Sequence, residues 1–438
     1  MLKELKNFVY EFLQESEQKP ITVISHNDTD GITSASIIAR TLQRIDKEFS
    51  LKIVKGLEES IIKELPEEHV ILFVDLASNS FNYIKEIKNK VFILDHHEIT
   101  SEIPKNVSII NPHLFDEEEI SGAGLAYLFS KEISEENTDL AYLAILGMVG
   151  DQMDKQIGKI YNQIIKDSKM EIRKGIVLYP ATRPLNKILE YSSDIYIPGV
   201  TGSSQGSAEF LRDNGIGIIN KQYKSIIDLT EEETSRLITA ITLKRTDAGT
   251  ADELIGNIYL ISFFNKLEDA RQVSAMVNAC SRNDESGVAI GFCLQNKQSK
   301  ERAEKIYTKH KQNIVKAINL IPELKKIEQD KYIVINAEDK IKDTLIGTIA
   351  SIISNSRDYE AGKVIIAMAY NEDKIKVSAR MVGKSGKNVR EVLNNVIEII
   401  GGEVGGHHAA AGCLIQRDKE KEFLETLKKQ LEIELVKV

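Results

Sequence analysis

The sequence is poor in cysteine, lacks tryptophan and contains no long apolar run. Its three cysteines, Cys280, Cys293 and Cys413, lie far apart and form no C-x-x-C pair, which argues against a disulfide framework and against a zinc knuckle. No stretch approaches the ~20 apolar residues that span a bilayer. Residues 1–18 have the pattern of an amphipathic helix and lack the features of a signal peptide. We therefore expect a cytoplasmic protein without a membrane partner.

The sequence also lacks an excess of positive charge. Its 57 lysines and arginines and 66 acidic residues give a formal net charge of −9. A protein that coats nucleic acid is usually basic, so the charge argues against that class. An enzyme with a local basic groove remains compatible with it, because steering depends on the local field. The length of 438 residues predicts two or three domains.

Short β-branched runs alternate with helical patterns in the first third of the chain. The runs cover residues 21–25, 51–56, 70–75, 91–95 and 107–111. Continuous apolar runs of this length, separated by helical segments, are typical of buried parallel strands with crossover helices. They predict an α/β fold with a doubly wound, mostly parallel sheet.

The pattern changes twice beyond this sheet. The middle of the chain is mainly helical, and Thr230-x-x-Glu233 is typical of a helix start. Strand patterns return at 332–337, 363–370 and 375–381, followed by a predicted glycine-rich turn at 401–412. We therefore divide the chain into a first domain (1–190), a mainly helical middle region (191–325) and a smaller α/β domain (326–438).

Metal-capable side chains follow three of the predicted strands, and one more follows a helical segment. They are His26, Asp28 and Asp30 after the first strand, Asp75 after the third, Asp95, His96 and His97 after the fourth, and Asp151 after the helix. In an open parallel sheet, ligands bind at the carboxyl ends of the strands. Alternate residues of an extended backbone point the same way, so we expect the three side chains after the first strand to face one site.

So many carboxylates in one place repel one another unless cations lie between them. Carboxylate and imidazole without thiolate suit manganese or magnesium better than structural zinc. With six or seven donors, two ions that share a bridging carboxylate are the economical arrangement, and such a pair hydrolyses phosphate esters. A single aspartate at a strand end is more often a helix cap or turn residue, but this alternative does not account for all four segments together.

These segments resemble the motifs of the DHH phosphoesterase superfamily, which is named after the triplet at 95–97. HNDTDG (26–31) resembles its first motif, Asp75 lies in its second, and GMVGD (147–151) resembles its fourth. All the expected ligand positions are filled.

The resemblance implies a role for each of these residues. It implies that His26 and Asp28 hold one metal ion, that Asp30, His96 and Asp151 hold the other, and that Asp75 bridges them. It further implies that Asp95 orients His96 and that His97 lies near the scissile phosphate, as an acid or as a transition-state donor. In relatives, the helix that opens at Ser121 borders the active site.

The C-terminal part resembles the domain associated with this superfamily. The segment 405–412 matches its G-G-H-x-x-A-A-G signature, with Gly405, Gly406 and His407 at its start. Ser378 and Arg380 match a Ser-x-Arg pair that grips substrate phosphate in relatives. Residues 363–395 contain seven bases and three acids, a local excess of +4 that suits a phosphate backbone.

Within the superfamily, the long middle region resembles that of the archaeal RecJ-like nucleases. This resemblance implies a single-strand-specific exonuclease of DNA replication or repair that uses two Mn²⁺ ions, or Mg²⁺, and degrades DNA from the 5′ end, or RNA. One alternative is a phosphatase of oligoribonucleotides or nucleotides. Another is a structural replisome subunit without catalysis, which degenerate ligands would mark. Single-stranded nucleic acid is the implied partner, and docking onto replication factors such as GINS is an expectation from the resemblance alone.

Overall fold

The computed structural model describes residues 1–99, 101–115, 117–155, 157–192, 195, 197–219, 221–245, 251–355, 359–383 and 386–432, with Lys155 and Glu403 described by their backbone alone. The chain forms two compact units. One comprises Met1–Lys174 and Asn257–Thr308, and the other Gly175–Gly256 and Lys309–Val438. Our predicted boundaries at 190 and 325 divide the chain into consecutive segments, whereas each compact unit combines two separate segments of the chain.

The first unit is built on a five-stranded parallel sheet. Its elements up to residue 168 are α1 (Leu2–Glu15), β1 (Ile21–His26), α2 (Thr29–Arg44), β2 (Phe49–Val54), α3 (Glu59–Lys63), β3 (Val70–Val74), α4 (Phe81–Ile84), β4 (Val91–Leu94), β5 (Val107–Ile110), α5 (Gly122–Ile133), α6 (Ala141–Gly150) and α7 (Lys159–Ser168). The strand order is β2-β1-β3-β4-β5, and all four neighbouring pairs are parallel. The five predicted strands and the doubly wound fold are confirmed.

Helices cover both faces of this sheet. On one face Val23 and Leu72 belong to a buried core that includes residues of α1, α2, α5 and α6. On the other face Ile24 and Phe73 are buried with residues of α3 and α4. Successive strand residues point to opposite faces, so strands buried on both sides are apolar at most positions. This is why they appear in the sequence as continuous apolar runs.

The middle of the chain is mainly helical, as predicted. Its elements are β6 (Glu171–Ile176), α8 (Leu185–Glu190), α9 (Ser204–Asp213), β7 (Ile218–Ile219), β8 (Gln222–Tyr223), α10 (Glu231–Lys244), β9 (Ile255–Phe263), β10 (Lys266–Asp269), α11 (Ala270–Arg282), α12 (Ser286–Cys293) and α13 (Lys297–Leu320). The predicted cap of α10 is present, because Thr230 Oγ1 accepts the backbone N–H of Glu233 at 3.2 Å. The strand β9 is an addition that the mainly helical prediction omits.

The C-terminal part forms a six-stranded mixed sheet. Its elements are β11 (Lys325–Glu328), β12 (Tyr332–Asn336), α14 (Asp343–Ser354), β13 (Val364–Asn371), β14 (Lys374–Met381), α15 (Val389–Ile400), β15 (Glu403–His407), β16 (Ala410–Gln416) and α16 (Glu420–Glu432). The strand order is β11-β12-β13-β14-β16-β15, in which β12 and β13 pair in parallel and the other pairs are antiparallel.

The predicted glycine-rich turn at 401–412 is wrong, because most of this segment belongs to the hairpin of β15 and β16. Glycine and alanine give no strand signal in the sequence, since β propensity resides in β-branched and aromatic side chains. Pairing of β16 with the longer strand β14 supplies the stabilisation instead.

Among the described residues, no helix combines the length and apolar character needed to cross a membrane.

Candidate metal centre

The carboxyl ends of three adjacent strands carry most of the predicted site residues of the first unit. His26 ends β1, Asp75 follows β3 and Asp95 follows β4. The register pairs Ser25 with Val74, and Val74 with Leu94, so these ends lie side by side. The chain proceeds in opposite directions from β1 and β3, which makes their ends the switch point where open α/β sheets bind ligands.

A first donor group, meaning a set of side chains that can coordinate a metal ion, consists of His26, Asp28 and Asp75. Their metal-coordinating atoms all lie within 4.8 Å of one another. His26 Nδ1 lies 2.7 Å from Asp28 Oδ2 and 3.8 Å from Asp75 Oδ2.

A second group consists of Asp30, His96 and Asp151. His96 Nε2 lies 3.7 Å from Asp30 Oδ2 and 3.2 Å from Asp151 Oδ2. It also lies 3.2 Å from Asp75 Oδ1. Asp75 therefore presents one oxygen to each group.

The route by which the residues after β1 reach the site differs from our expectation. The strand ends at His26, Asp28 is the N-cap of α2, and Asp30 lies in the first turn of that helix. The side chains therefore do not alternate along an extended strand, and Asp30 joins the second donor group. Gly31 is also inside the helix, where a Cβ would overlap the carbonyl oxygen of His26.

The backbone of α5 fixes the Asp30 carboxylate. The N–H of Gly122 donates to Asp30 Oδ2 at 2.6 Å, and that of Ala123 donates to Oδ1 at 3.0 Å. These amides are the free donors of a helix N-terminus, which stabilises a negative charge. Gly147 packs so closely that a Cβ there would overlap Asp30 Oδ1.

Asp75 lies in a conformation that is unusual for a residue with a side chain. Its φ is 61°, in the left-handed region, which aspartate tolerates better than most residues. A Cβ at Gly122 would lie 2.6 Å from Asp75 Oδ1 and from its Cβ, so only glycine fits beside the carboxylate. Such outliers are typical of functional sites.

The electrostatics of the cluster is unfavourable for negative charge. Burial, followed by the charge of Asp151, raises the pKa of Asp30 to about 6. Burial and the charges of Asp30 and Asp28 raise the pKa of Asp75 well above its ordinary value. Burial opposes protonation of His96, but Asp151 and Asp75 outweigh it and raise the pKa of His96. The cluster thus favours the binding of positive charge.

Several nitrogen and oxygen atoms of this cluster lack a hydrogen-bond partner among the described residues. Of the eight buried side-chain atoms without a hydrogen bond among the described residues, four are His26 Nδ1, the two Asp75 oxygens and His96 Nε2. The short approach of His26 to Asp28 therefore lacks hydrogen-bond alignment. Buried polar atoms are normally paired, and nitrogen and oxygen donors of these types are ligands of manganese and magnesium. The donor set fits divalent ions.

Asp95 contacts His97, which corrects the expectation that it orients the ring of His96. Asp95 Oδ1 lies 2.7 Å from Nδ1 of His97 and accepts the backbone N–H of His96 at 2.8 Å. Asp95 Oδ2 accepts the backbone N–H of Ser78 at 2.8 Å. Asn111 Nδ2 donates to Ser78 Oγ and to the carbonyl of His97, both at 2.9 Å. The Asp95 carboxylate contacts the ring of His97 because the ring of His96 points to the donor groups.

The residues predicted to bind phosphate lie on the sheet of the second unit. The register aligns two rows across β14, β16 and β15, with Ser378, Gly412 and Gly405 in one, and Arg380, Ala410 and His407 in the other. Directly paired residues of antiparallel strands point to the same face, so Ser378, Arg380 and His407 share one face. Gly406 has a φ of 121°, which favours glycine.

The guanidinium of Arg380 is anchored at this face. Its Nε donates to Ser351 Oγ at 3.0 Å, and its Nη1 donates to the carbonyl of Ala379 at 2.8 Å. A Cβ at Gly347 of α14 would lie 3.4 Å from both Arg380 Nη2 and Ser378 Oγ. The glycine therefore lets the backbone of α14 pack close to both groups, and no local sequence signal marks it.

Arg282 of α11 is a further residue that sequence reasoning missed near the metal centre. Burial lowers the pKa of Arg282, and the nearby charge of Asp28 partly offsets this effect. Asn278 Oδ1 accepts its Nε–H at 3.1 Å. The segment 278–282 is 250 residues from Asp28 in sequence, so only the fold brings them together.

Three family models match separate parts of the chain. Models of the DHH family N-terminal domain, the DHH-CID domain and the DHHA1 domain match residues 20–148, 178–258 and 329–432. An uncharacterised protein of Methanocaldococcus jannaschii is 31% identical over 424 residues, which cover 92% of this chain and 91% of that protein. The single-stranded-DNA-specific exonuclease RecJ of Bacillus subtilis is 28% identical over 152 residues, or 31% of this chain and 19% of that protein.

The chain belongs to the DHH superfamily and is RecJ-like. A crystal structure of exonuclease RecJ bound to manganese matches 99% of this RecJ-like chain and 96% of its own, with a TM-score of 0.63 at 18% identity. The structure of CDC45 from Entamoeba histolytica matches 99% of both chains, with a TM-score of 0.69 at 13% identity. These two likenesses show the shared fold.

Proposed function

We propose that this RecJ-like protein is a manganese-dependent exonuclease that hydrolyses single-stranded nucleic acid with two divalent ions. The observation that carries the proposal is the Asp75 carboxylate. It is 1% exposed, neither oxygen has a hydrogen-bond partner, and the two oxygens face different donor groups. A buried carboxylate in this position is costly without cations on both sides.

The donor groups suggest which residues hold which ion. His26 and Asp28 would hold one, Asp30, His96 and Asp151 the other, and Asp75 both. Two divalent ions at such a site polarise a phosphoryl oxygen and make water more acidic, and Mg²⁺ is an alternative to Mn²⁺.

Other residues of the chain bind substrate and move a proton. The Asp95 carboxylate keeps a proton on Nδ1 of His97, so Nε2 is the nitrogen available to the substrate. The side chain of His97 is 41% exposed, which makes it accessible. We assign to His97, when it is protonated on both ring nitrogens, the transfer of the Nε2 proton to the leaving oxygen, which leaves the neutral ring with its proton on Nδ1. Ser378, Arg380 and His407, with the backbone of Gly405 and Gly406, bind a substrate phosphate.

The substrate assignment rests on the relatives. The B. subtilis relative is named for its specificity for single-stranded DNA, which supports DNA as substrate. Digestion from the 5′ end, in replication or repair, is what the sequence resemblance to RecJ-type nucleases implies. The second candidate is a structural replisome subunit without catalysis, and docking onto replication factors such as GINS stays an expectation from the sequence resemblance alone. The complete donor set supports catalysis, because a subunit without catalysis has no need to keep this charge cluster.

Single-stranded DNA and RNA, each labelled at one end, test the proposal in the presence of Mn²⁺. With a 3′ label, digestion from the 5′ end produces a ladder of shortening products, whereas a 5′ label is released at once as a mononucleotide. Asp75→Asn should abolish turnover, and Asp418→Asn, at an exposed position of the second unit, should not. Cleavage of a dinucleotide but of no longer strand would support the phosphatase alternative. Manganese-dependent turnover by Asp75→Asn would refute the site.

A further inference from the structure

One face of the central strand β14 is polar along its whole length. Lys374, Lys376, Ser378 and Arg380 alternate with residues that are buried on the opposite face against α15 and α16. Central strands covered on both faces are normally apolar on both. On this row Ser378 is buried, Lys376 and Arg380 are partly exposed and Lys374 is exposed, so α14 covers the face only in part.

The residues that pair with this row on the neighbouring strands differ in size. On β13, Ala369 pairs with Lys376, and Ala367 pairs with Ser378. On β16, Gly412 pairs with Ser378, and the partly exposed Leu414 pairs with Lys376. Lys376 therefore lies between a small residue on one side and an apolar side chain on the other, on the same face as Ser378 and Arg380.

Lys376 differs from other lysines of this domain, whose ammonium groups have partners within the protein. Lys363 pairs with Glu328 at 2.9 Å, and Lys387 Nζ donates to the backbone carbonyls of residues 430 and 431. Lys376 is half-buried, and no acidic oxygen of the described side chains lies within 4.0 Å of its ammonium. Lys384, another base of the segment 363–395, lies outside the described residues.

We propose that Lys376 forms a second phosphate subsite, next to the one made by Ser378 and Arg380. The inference rests on the proposed function and deepens it, because it specifies the substrate as a strand with at least two consecutive phosphates. Lys376 lies two residues from Ser378, about 6.8 Å along the antiparallel strand, which is comparable to the separation of neighbouring phosphates in an extended single strand. Ser378 and Arg380 bind one phosphate, and the Lys376 ammonium binds the next.

This arrangement gives the protein a means of selecting by length. A substrate with a single phosphodiester occupies only the subsite of Ser378 and Arg380. A longer strand gains the additional contact, whose charge makes it dependent on salt. Lys376 is thus a specificity-determining residue that disfavours mononucleotides and dinucleotides.

The test compares Lys376→Gln with Lys428→Gln in the full-length chain. Glutamine keeps the length of the side chain and removes its charge. Lys428 lies on α16, whose buried residues pack on the opposite face of the sheet, so its substitution is a matched loss of charge. Binding of a fluorescent ten-nucleotide strand and of a dinucleoside monophosphate is measured by anisotropy in EDTA, at several salt concentrations.

Lys376→Gln should weaken binding of the ten-nucleotide strand by about three- to tenfold and leave binding of the dinucleoside monophosphate unchanged. The slope of log K against log salt should fall by about 0.7. Equal behaviour of the two variants, or an equal loss on both ligands, would overturn the inference. Because binding is read without metal, absence of hydrolysis by the wild-type protein would count against the proposed function alone.

Discussion

The carboxylate of Asp95 lies 2.7 Å from Nδ1 of His97, at the base of the candidate metal centre. Burial would raise the pKa of Asp95, but the hydrogen bond and charge of His97 outweigh burial and hold it well below its usual value. An ionised carboxylate only accepts hydrogen bonds, so Nδ1 must carry the proton. This contact fixes the tautomer and the orientation of His97.

Asp95→Asn should therefore lower kcat while leaving Mn²⁺ binding intact. The amide has nearly the same shape, but its NH₂ group favours the wrong tautomer of His97. A loss of about 10²- to 10⁴-fold in kcat is expected for a misplaced general acid. Steady-state kinetics with a labelled strand, and calorimetric titration of Mn²⁺, measure the two effects. An unchanged kcat would remove His97 from the proposed chemistry.

Gly147→Ala tests the close packing behind Asp30. The added Cβ would overlap Asp30 Oδ1, so the carboxylate must leave the N-terminus of α5. Displacing a group that orients a ligand usually costs about 10- to 100-fold in metal affinity, and we expect a loss in that range by calorimetry. Gly287→Ala is the control, because a Cβ there meets no atom within 4 Å. The same Mn²⁺ affinity in both variants would contradict the packing argument.

The stability of the metal-free protein should depend on pH in a defined direction. The folded protein raises the pKa of Asp30 from 3.8 to about 6 and raises that of Asp75. Because the folded state holds these protons more tightly than the unfolded chain, stability falls as pH rises from about 4 to about 6. The raised pKa values of His26 and His96 act in the same direction, since their contribution is present below about 6.5 and is lost at higher pH.

Mn²⁺ should reverse this loss by replacing the protons. The increase in Tm on adding Mn²⁺ should therefore be larger at pH 8 than at pH 5, as measured by differential scanning fluorimetry. Asp75→Asn should remove most of this pH-dependent increase. A shift in Tm that is independent of pH, or greatest at pH 5, would show that the cluster does not exchange protons for metal.

Much of the site could be predicted because its residues follow strands with unmistakable patterns. Asp75 and Asp95 come directly after apolar runs, and parallel strands bring such ends together. The extended geometry predicted for Asp28 and Asp30 failed because the N-cap of α2 starts the helix earlier than the sequence pattern indicates. Helix starts depend on local hydrogen bonds such as the one from Gly31 N to Asp28 Oδ1 at 2.9 Å.

The supporting contacts could not be predicted from local sequence. The amide of Gly122 binds Asp30 across 92 positions, and Asn111 reaches Ser78 across 33. Neither glycine nor asparagine has a pattern that indicates a distant partner. The hairpin of β15 and β16 was missed for a related reason, since its small residues gain their strand conformation from pairing with β14.

The most direct test of the central claim is an anomalous difference map from crystals of this protein grown with Mn²⁺. Two peaks should appear, one beside His26 and Asp28 and the other beside Asp30, His96 and Asp151, with the carboxylate of Asp75 in contact with both. A single peak, or peaks away from Asp75, would contradict the two-metal account.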